Sequence, residues 1–349
     1  MQLVKYPETE QFRNVIKSIQ YKTRYKGIDD EGKPQFDYSI PLPTIEYIGT
    51  IKTHGTNGGI GFDLETNEIY GQSRERVISL QQDNSGFMAF ILKNKFQFSK
   101  IFDKIKNDYI EKVKIKKILI YGEWSGANDM RHYKQKIFNI FKIKLIHEDS
   151  EYWIEHEYIE RLIKSEYNQF GIYSVYQFPT YKFQIDFNNP EYAQNEIANK
   201  VKEIEDYCPV WNFFKPEETE INIYGEGLVL TPINTEHYNS SDYVFKAKGQ
   251  KHSTSKVKKI ANVDIEKVNS VNEFVDNVLT ESRLNQGIQY LNEMNIEICP
   301  KNTGTYLKWI ADDVLKEESD ILVESGLSWK DVVGKLNIVS KGFYFKYIN

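Results

Sequence analysis

The sequence contains little cysteine and no long apolar run. Its two cysteines, Cys208 and Cys299, lie far apart among 349 residues and match no metal-binding spacing. This excludes a disulfide framework and a zinc–thiolate site, and it indicates a reducing setting: the cytoplasm, or the host-cell cytoplasm if the chain is phage-encoded. No stretch reaches the roughly 18 to 20 apolar residues that a membrane span requires, and residues 1–6 lack the apolar core of a secretory signal. We therefore expect a protein without a membrane partner.

Arginine is also scarce, because the positive charge comes from 38 Lys and only 7 Arg. The net charge is −5, yet the positive charge is concentrated locally. Residues 93–117 hold nine Lys against three acids, and residues 242–259 hold six Lys against one acid. Basic patches on an acidic background are typical of a protein that holds a polyanion such as nucleic acid in one groove, although solvated helix faces produce the same pattern.

Aromatic residues are abundant, at 14%, which excludes disorder as a description of the whole chain. Up to about Lys259, short runs rich in Ile, Tyr, Phe and Val predict strands, and longer stretches between them predict helices. The predicted strands are Thr44–Ile51, Gly59–Leu64, Ile118–Gly122, Tyr181–Phe187 and Gly227–Thr231, and the predicted helices are Thr9–Tyr21, Asn84–Ile105 and Glu191–Tyr207.

After about Ile260 the pattern becomes helical, with apolar residues spaced three and four apart. These residues are Val271, Phe274, Val275, Val278 and Leu279, then Leu284, Ile288 and Leu291, and finally Leu307, Ile310, Val314 and Leu315. Gly304 and Gly326 are expected to break the helices. We therefore predict an α+β domain over residues 1–261 and a small, mainly α-helical domain over residues 262–349.

Lys52 has the most informative surroundings in the sequence. It follows a predicted strand and precedes a glycine-containing turn in Lys52-Thr53-His54-Gly55. Such a lysine could be a nucleophile, although most lysines beside turns are surface lysines. Obtaining the free amine near pH 7.4 costs about 4 kcal/mol at an ordinary lysine pKa, and burial or cationic neighbours lower that cost.

Two carboxylates and two further lysines also lie at strand boundaries. Glu123 follows an apolar strand, and Glu226 precedes another. Lys246 and Lys248 share one face if their segment is extended, so they invite an anion such as phosphate. Their field is also expected to lower the pKa of a nearby nucleophilic lysine. A strand with one solvated face would show the same residues.

In this order, the segments resemble the ATP-dependent RNA ligases of the RNA ligase 2 type, which belong to the covalent nucleotidyltransferase superfamily. The resemblance covers residues from about 50 to 250 and is carried by Lys52-Thr53-His54-Gly55-Thr56-Asn57, Ser73-Arg74, Gly122-Glu123, Ile137-Phe138-Asn139-Ile140-Phe141, Glu226-Gly227-Leu228-Val229 and Lys246-Ala247-Lys248. Val4-Lys5-Tyr6-Pro7 is similar to the amino end of such ligases, and Asn277–Leu284 is similar to their carboxy-terminal domain.

The resemblance implies the nucleotidyltransferase fold, with antiparallel sheets and flanking helices. It also implies that Lys52 is the lysine that accepts AMP from ATP. By the same resemblance, Lys246 and Lys248 contact the α-phosphate, and Glu226 holds a hydrated Mg²⁺ or Mn²⁺. His54, together with Asn57, orients pyrophosphate or metal-bound water.

The resemblance also implies the remaining nucleotide contacts. Glu123 accepts hydrogen bonds from the ribose hydroxyls with Arg74 nearby, and Asn57 orients pyrophosphate or metal-bound water. Phe141 stacks on the adenine. Thr53 lies within the lysine motif, and Ile51 replaces the glutamate of several relatives, which leaves a main-chain contact. Arg76 is the alternative to Arg74, and Phe138 is the alternative to Phe141, because Lys142 stands where relatives carry aspartate after the stacking ring.

The implied substrate is RNA with 3′-OH and 5′-phosphate ends, joined at a nick in a duplex by a monomeric enzyme. An ATP-dependent DNA ligase and an mRNA capping guanylyltransferase use the same lysine chemistry, but His54 and the ligase-like tail favour RNA ligation. A catalytically inactive RNA-binding protein on the same scaffold is the non-enzyme alternative.

Overall fold

The computed structural model describes residues 2–109, 114–126, 136–214, 224–233, 235–238, 240–249 and 271–348. The chain forms two compact units, residues 1–247 and 248–349. The domain boundary predicted at residues 261 and 262 lies outside the described residues. The first unit combines sheets and helices, and the described part of the second beyond residue 270 is helical, so the predicted α+β class is confirmed.

The first unit contains a five-stranded sheet with the order β1-β14-β13-β4-β12. Its strands are β1 (Glu10–Gln11), β14 (Phe245–Lys248), β13 (Gly227–Pro232), β4 (Thr44–Ile51) and β12 (Thr180–Asp186). The long central strand β4 pairs antiparallel with both β13 and β12. Short β1 pairs parallel with β14, which brings Gln11 opposite Lys246.

A seven-stranded sheet has the order β10-β9-β8-β5-β6-β7, and β11 also pairs with β9. Its strands are β5 (Gly55–Asp63), β6 (Glu68–Ser73), β7 (Val77–Ile78), β8 (Lys117–Ser125), β9 (Ile137–Ile146), β10 (Glu151–Trp153) and β11 (Ile172–Ser174). A separate hairpin is formed by β2 (Tyr25–Ile28) and β3 (Pro34–Phe36).

Helices of the first unit pack against one face of the seven-stranded sheet. The helices of the first unit are α1 (Phe12–Arg24), α2 (Phe87–Lys93), α3 (Lys95–Tyr109), α4 (His156–Leu162), α5 (Pro190–Asp206), α6 (Pro209–Phe214) and α7 (Thr235–Tyr238). Side chains of β8 and β9 alternate between the two faces of the sheet, and on one face Ile118, Ile120 and Phe138 pack with Phe98 and Phe102 of α3 in one buried core. This core fixes the sheet from which several site residues project.

Most predicted elements of the first unit are confirmed within a few residues of their ends. The strand over Thr44–Ile51 is confirmed at both ends. Helix α5 begins at Pro190, where the missing N–H of proline costs no hydrogen bond. The single helix predicted over Asn84–Ile105 is wrong: Asn94 separates α2 from α3, and its side chain bonds the carbonyl of Phe90 at 3.1 Å.

The second unit contains α8 (Val271–Val278), α9 (Glu281–Glu293), α10 (Thr303–Glu324) and α11 (Trp329–Ile348). The predicted apolar stripe is confirmed for most positions, but Leu315 lies exposed. Gly304 does not break a helix, because it occupies the first turn of α10. Thr280 caps α9 by accepting a hydrogen bond from the backbone N–H of Arg283 at 3.3 Å. None of the helices in the described ranges is long and apolar enough to cross a membrane.

Candidate active site

Lys52 lies where the chain passes from the five-stranded sheet into the seven-stranded sheet. It directly follows β4, and its backbone N–H donates to the carbonyl of Gly227 at 2.9 Å, which extends the β4–β13 ladder by one bond. Glu226 immediately precedes β13, so the same ladder brings these two distant residues together. Gly227 has a φ of +136°, a conformation that favours glycine and turns the chain just after the carboxylate.

The side chains of Lys52 and Glu226 form an ion pair, with Nζ 2.8 Å from Oε2. The carboxylate is buried, whereas 21% of the Lys52 side chain remains exposed. His54 Nδ1 lies 3.6 Å from the same carboxylate oxygen. One buried carboxylate is therefore shared by a lysine and a histidine that are two residues apart.

The protonation of Lys52 differs from the sequence-based prediction. Burial alone would lower the pKa of this lysine, but the carboxylates of Glu226 and Glu123 and the hydrogen bond to Glu226 outweigh burial and raise it. We expected the field of Lys246 and Lys248 to lower the pKa of Lys52, whereas the structure gives a raised pKa that is caused by the two carboxylates. The carboxylates therefore stabilise the cationic form of Lys52.

Strand β5 begins with the rest of the lysine motif and pairs with β8. The register places Asn57 opposite Glu123, so both side chains lie on the same side of the sheet. A Cβ on Gly55 would lie 2.3 Å from the carbonyl oxygen of Trp124, so this close approach of two backbones requires glycine. Lys52, His54, Asn57, Glu123 and Glu226 are thus brought to one region by the two sheets.

Ile51 and Thr53 flank the lysine, and both are buried. Ile51 lies in register with Leu228 and its side chain is 1% exposed, so only its main chain could meet a nucleotide.

The two candidate adenine-stacking rings lie in different environments. Tyr121 pairs with Lys142 and Gly122 with Ile140, so Phe141 is the extra residue of a β-bulge. Bulges re-aim side chains, and Phe141 is only partly buried, with its ring 5.0 Å from that of Tyr6. Phe138 is fully buried, with its ring 4.9 Å from that of Phe87 in the core. The geometry therefore favours Phe141.

The two candidate arginines follow β6 and make different contacts. Arg74 Nη2 lies 3.0 Å from Glu8, and its Nε lies 3.6 Å from Glu75. Arg76 donates to the backbone carbonyls of Gln82 at 2.6 Å and Asp83 at 3.4 Å. Arg76 thus holds a loop, whereas half of the Arg74 side chain is exposed on a surface ion pair.

Lys246 and Lys248 lie two residues apart on β14, which neighbours β13 in the sheet. Alternation along a strand places both ammonium groups on one side. Both residues are partly buried. Two cations on the strand beside the one that carries Glu226 suit an anionic ligand.

Glu226 fits a hydrated divalent cation. In the described ranges, no group of three or more His, Cys, Asp or Glu side chains comes together. A metal ion here would have few protein ligands and would keep most of its waters, as Mg²⁺ and Mn²⁺ commonly do.

Sequence reasoning missed Asn139 and the position of Tyr6. Asn139 is fully buried opposite Glu123, with its Nδ2 3.4 Å from Ser125 Oγ and with no hydrogen bond to Oδ1 among the described residues. An amide inside an apolar strand is the signal that could have revealed it. Tyr6 packs against Phe141 and Tyr121, so the amino-terminal segment borders the site.

The family model described as RNA ligase matches residues 45–248, from the second residue of β4 to the last residue of β14. A search of curated proteins found no match.

Among solved structures, the chain is similar to a Naegleria gruberi RNA ligase with PPi, at a TM-score of 0.40 and 14% identity over 71% of this chain and 56% of that chain. A mutant of that ligase with ATP and Mn has a TM-score of 0.40 and 15% identity over 71% of this chain and 57% of that one. The chain therefore spans just over half the length of these ligases. The family match covers more than half of the chain, and this chain belongs to the RNA ligase family.

Proposed function

We propose that the chain is an ATP-dependent RNA ligase that joins 3′-OH and 5′-phosphate ends at nicks in duplex RNA. The ion pair between Lys52 and Glu226, inside the region that matches the family, is the observation that carries the proposal. This pair joins one amine and one buried carboxylate at the point where the chain passes from one sheet to the other. Lys246 and Lys248, two cations that suit phosphate, lie on the neighbouring strand β14. The Naegleria ligase structures with ATP and Mn support the same cosubstrate and a divalent metal.

In the first step, the free amine of Lys52 attacks the α-phosphorus of ATP. A P–N bond forms, the bond to pyrophosphate breaks, and Nζ releases one of its two protons to water. Because the pKa of Lys52 is raised by Glu226, this carboxylate must be neutralised or withdrawn before the amine can react. A divalent cation bound at Glu226 would supply that neutralisation and would also balance charge on the phosphate oxygens.

The other residues of this chain bind and orient the nucleotide. Lys246 and Lys248 balance the charge that develops on the α-phosphate oxygens. Glu123 accepts hydrogen bonds from the ribose hydroxyls, and Phe141 stacks on the adenine. His54, Asn57 and Arg74 position the phosphates.

Two later steps use the AMP held on Lys52. The RNA 5′-phosphate takes the AMP, which frees Lys52, and the 3′-hydroxyl then attacks the activated phosphate while AMP leaves. Small misplacement of reacting groups can cost about a hundredfold in rate, so a long duplex must be held accurately. We assign this holding to the helical carboxy-terminal unit of a monomeric, cytoplasmic enzyme.

The test is incubation of the protein with α-labelled ATP or GTP and a divalent metal, followed by denaturing electrophoresis. We expect a covalent label from ATP alone, and sealing of nicked duplexes that contain RNA at the nick. No label would support the non-catalytic alternative. A label from GTP would indicate a capping enzyme, and sealing restricted to DNA would indicate a DNA ligase.

A further inference from the structure

The hairpin that follows α1 is separate from the two larger sheets. Within the described residues, β2 and β3 pair only with each other. The turn between them is fixed by Asp29, whose Oδ1 accepts hydrogen bonds from the backbone N–H groups of Glu31 at 3.0 Å and Lys33 at 2.8 Å. A two-stranded hairpin is marginally stable in water by itself, so this one is held by its turn and its side chains.

Four aromatic rings and one arginine cover this hairpin, and together they form what we name the aromatic hairpin surface: Tyr21, Arg24, Tyr25, Phe36 and Tyr38. The rings of Tyr21 and Tyr25 stack at 5.0 Å, and Phe36 contacts Tyr21 at 5.3 Å and Tyr38 at 6.3 Å. The Arg24 guanidinium lies 5.5 Å from the Tyr38 ring centroid. Tyr38 is nevertheless 74% exposed, and Tyr21 and Tyr25 are also exposed. The rings therefore pack against one another, while three of them remain exposed to solvent.

The charge around the surface favours a polyanion. Residues 12–28 contain five Lys or Arg and no Asp or Glu, in a protein whose net charge is −5. Lys22, Arg24 and Lys26 alternate with Tyr21 and Tyr25 along the chain. Acidic residues 29–31 form the turn, and two of the cations make ion pairs: Lys26 with Asp37 at 3.2 Å and Lys22 with Asp242. Both pairs are exposed to solvent, and such pairs contribute little, so phosphate oxygens can replace these carboxylates.

We propose that the aromatic hairpin surface binds an unpaired stretch of the substrate RNA by stacking its bases. Aromatic faces stack on any base, and interleaved cations meet the phosphates, which is the combination that single-stranded nucleic acid requires. A duplex keeps its bases stacked inside and offers none to these rings. The proposal rests on the proposed function for the identity of the nucleic acid as RNA.

The position of the surface sets the length of RNA that can reach it. Gln11 pairs with Lys246 on the lysine-bearing strand, and α1 begins at the next residue and runs for 13 residues to the hairpin. That helix is about 20 Å long at 1.5 Å per residue. A stacked nucleic-acid strand advances about 3.4 Å per nucleotide, so a stacked extension of twelve nucleotides is long enough to span this helix and one of three nucleotides is not.

The experiment uses the full chain and nicked RNA duplexes with an unpaired extension of no, three or twelve nucleotides. The long extension carries 2-aminopurine, whose fluorescence is quenched by stacking. We expect the twelve-nucleotide extension to strengthen binding, measured by anisotropy, and to be quenched by the wild-type protein. Tyr38→Ala should weaken binding of this substrate at least fivefold and relieve the quenching, and a double Tyr25→Ala, Tyr38→Ala variant should weaken it further.

Tyr192→Ala is the matched control, because Tyr192 is an 82% exposed tyrosine on α5 outside this surface. It should bind every substrate as the wild type does, and all variants should take the label from ATP equally. Unchanged binding in Tyr38→Ala, or an equal loss on the duplex without an extension, would overturn the proposal and leave the surface to a protein partner. Absence of the ATP label from the wild type would contradict the ligase function and would leave the RNA-binding result readable.

Discussion

Lys52 and Lys142 are both largely buried lysines of the first unit, and their surroundings shift their pKa values in opposite directions. Lys142 is 4% exposed, with its Nζ 3.3 Å from the centroid of the Tyr238 ring and with no hydrogen-bond partner among the described residues. Burial holds its pKa well below the ordinary lysine value, and only the charge of Glu155 opposes this. The pKa of Lys52 is raised instead, because Glu226 and Glu123 overcome burial. Burial lowers the pKa of both lysines, and the carboxylates near each lysine determine whether its pKa ends above or below the ordinary value.

Arg283 in the second unit extends this comparison. It is fully buried, and it bonds Asp313 at 2.8 Å, Glu318 at 3.1 Å and the carbonyl of Val278 at 2.6 Å. A guanidinium stays protonated under all ordinary conditions, so Arg283 cannot supply a nucleophile. A lysine can lose its proton to give a free amine, so the proposed nucleophilic role is open to Lys52 and not to Arg283.

The largest effect is expected when the nucleophile is removed. Lys52→Ala should abolish covalent labelling by ATP, and Lys52→Arg should fail as well because a guanidinium does not deprotonate. Lys142→Met is the control, since it removes the other buried lysine of this comparison and should keep the label. Electrophoresis after incubation with labelled ATP measures this, with circular dichroism to verify folding. A label that persists in Lys52→Ala, or one that maps to Lys142, would contradict the assignment.

The next effect concerns the stability of the helical unit. Arg283→Ala removes the cation beside the buried Glu318, and we expect a loss of about 3 to 5 kcal/mol in the free energy of unfolding, measured with urea. The double variant Arg283→Met, Glu318→Leu should recover most of this loss, because it removes the two fully buried charges together, whereas Asp313 is partly exposed to water. Equal destabilisation by the single and double variants would show that packing, and not the unpaired charge, is the cause.

Loss of the shared carboxylate should slow the first step, because we expect the loss of the metal site to outweigh the lower Lys52 pKa that follows when Glu226 is removed. Glu226→Ala is expected to reduce the rate of ATP labelling at least tenfold, or about 1.4 kcal/mol, and added Mg²⁺ should partly restore it if this residue holds the metal. Lys248→Ala should lower the rate without rescue by Mg²⁺, since its role is to balance phosphate charge. Rates within tenfold of the wild type for both variants would mean that the site is placed wrongly.

The smallest effect is a pH dependence of stability. The pKa of Lys142 is lower in the folded protein than the ordinary lysine value of about 10.4, so between these values the unfolded chain binds more protons. Stability conferred at this residue therefore rises with pH in that window, by at most about 1.4 kcal/mol per pH unit, and falls as the solution is acidified. Urea unfolding at pH 7 and pH 9 should show the wild type gaining stability relative to Lys142→Met. An equal pH response of the two proteins would contradict a depressed pKa.

The sequence predicted the strands and helices whose apolar periodicity comes from one buried face. It did not predict elements whose backbone conformation depends on contacts with other parts of the chain. The strand over Thr44–Ile51 and the helix at α5 follow from apolar pattern and proline placement. The hairpin of β2 and β3 was missed because its aromatic residues face solvent and no buried face sets a pattern. The bulge at Phe141 depends on the register between two strands, which a single segment does not encode.

The candidate site was predictable in its membership but not in its electrostatics. Motif order indicated that Lys52 and Glu226 belong together, although 174 residues separate them. The direction of the pKa change of Lys52 depends on which charge lies within contact distance, and the sequence offered both carboxylates and lysines. In the structure the carboxylates of Glu226 and Glu123 have the larger effect, so the pKa of Lys52 is raised.

The hydrogen-bond ladder between β4 and β13 also determines where the protein can accept inserted residues. Lys52 and Glu226 meet because Ile51 lies in register with Leu228, and a slip of one residue would turn each side chain to the other face of the sheet. A single inserted residue in β4 should therefore inactivate the protein. By contrast, doubling the length of a surface loop elsewhere between the two strands costs only about 0.6 kcal/mol in closure entropy. Diversity in chain length should accumulate in those loops, while the two short strands stay constant in length.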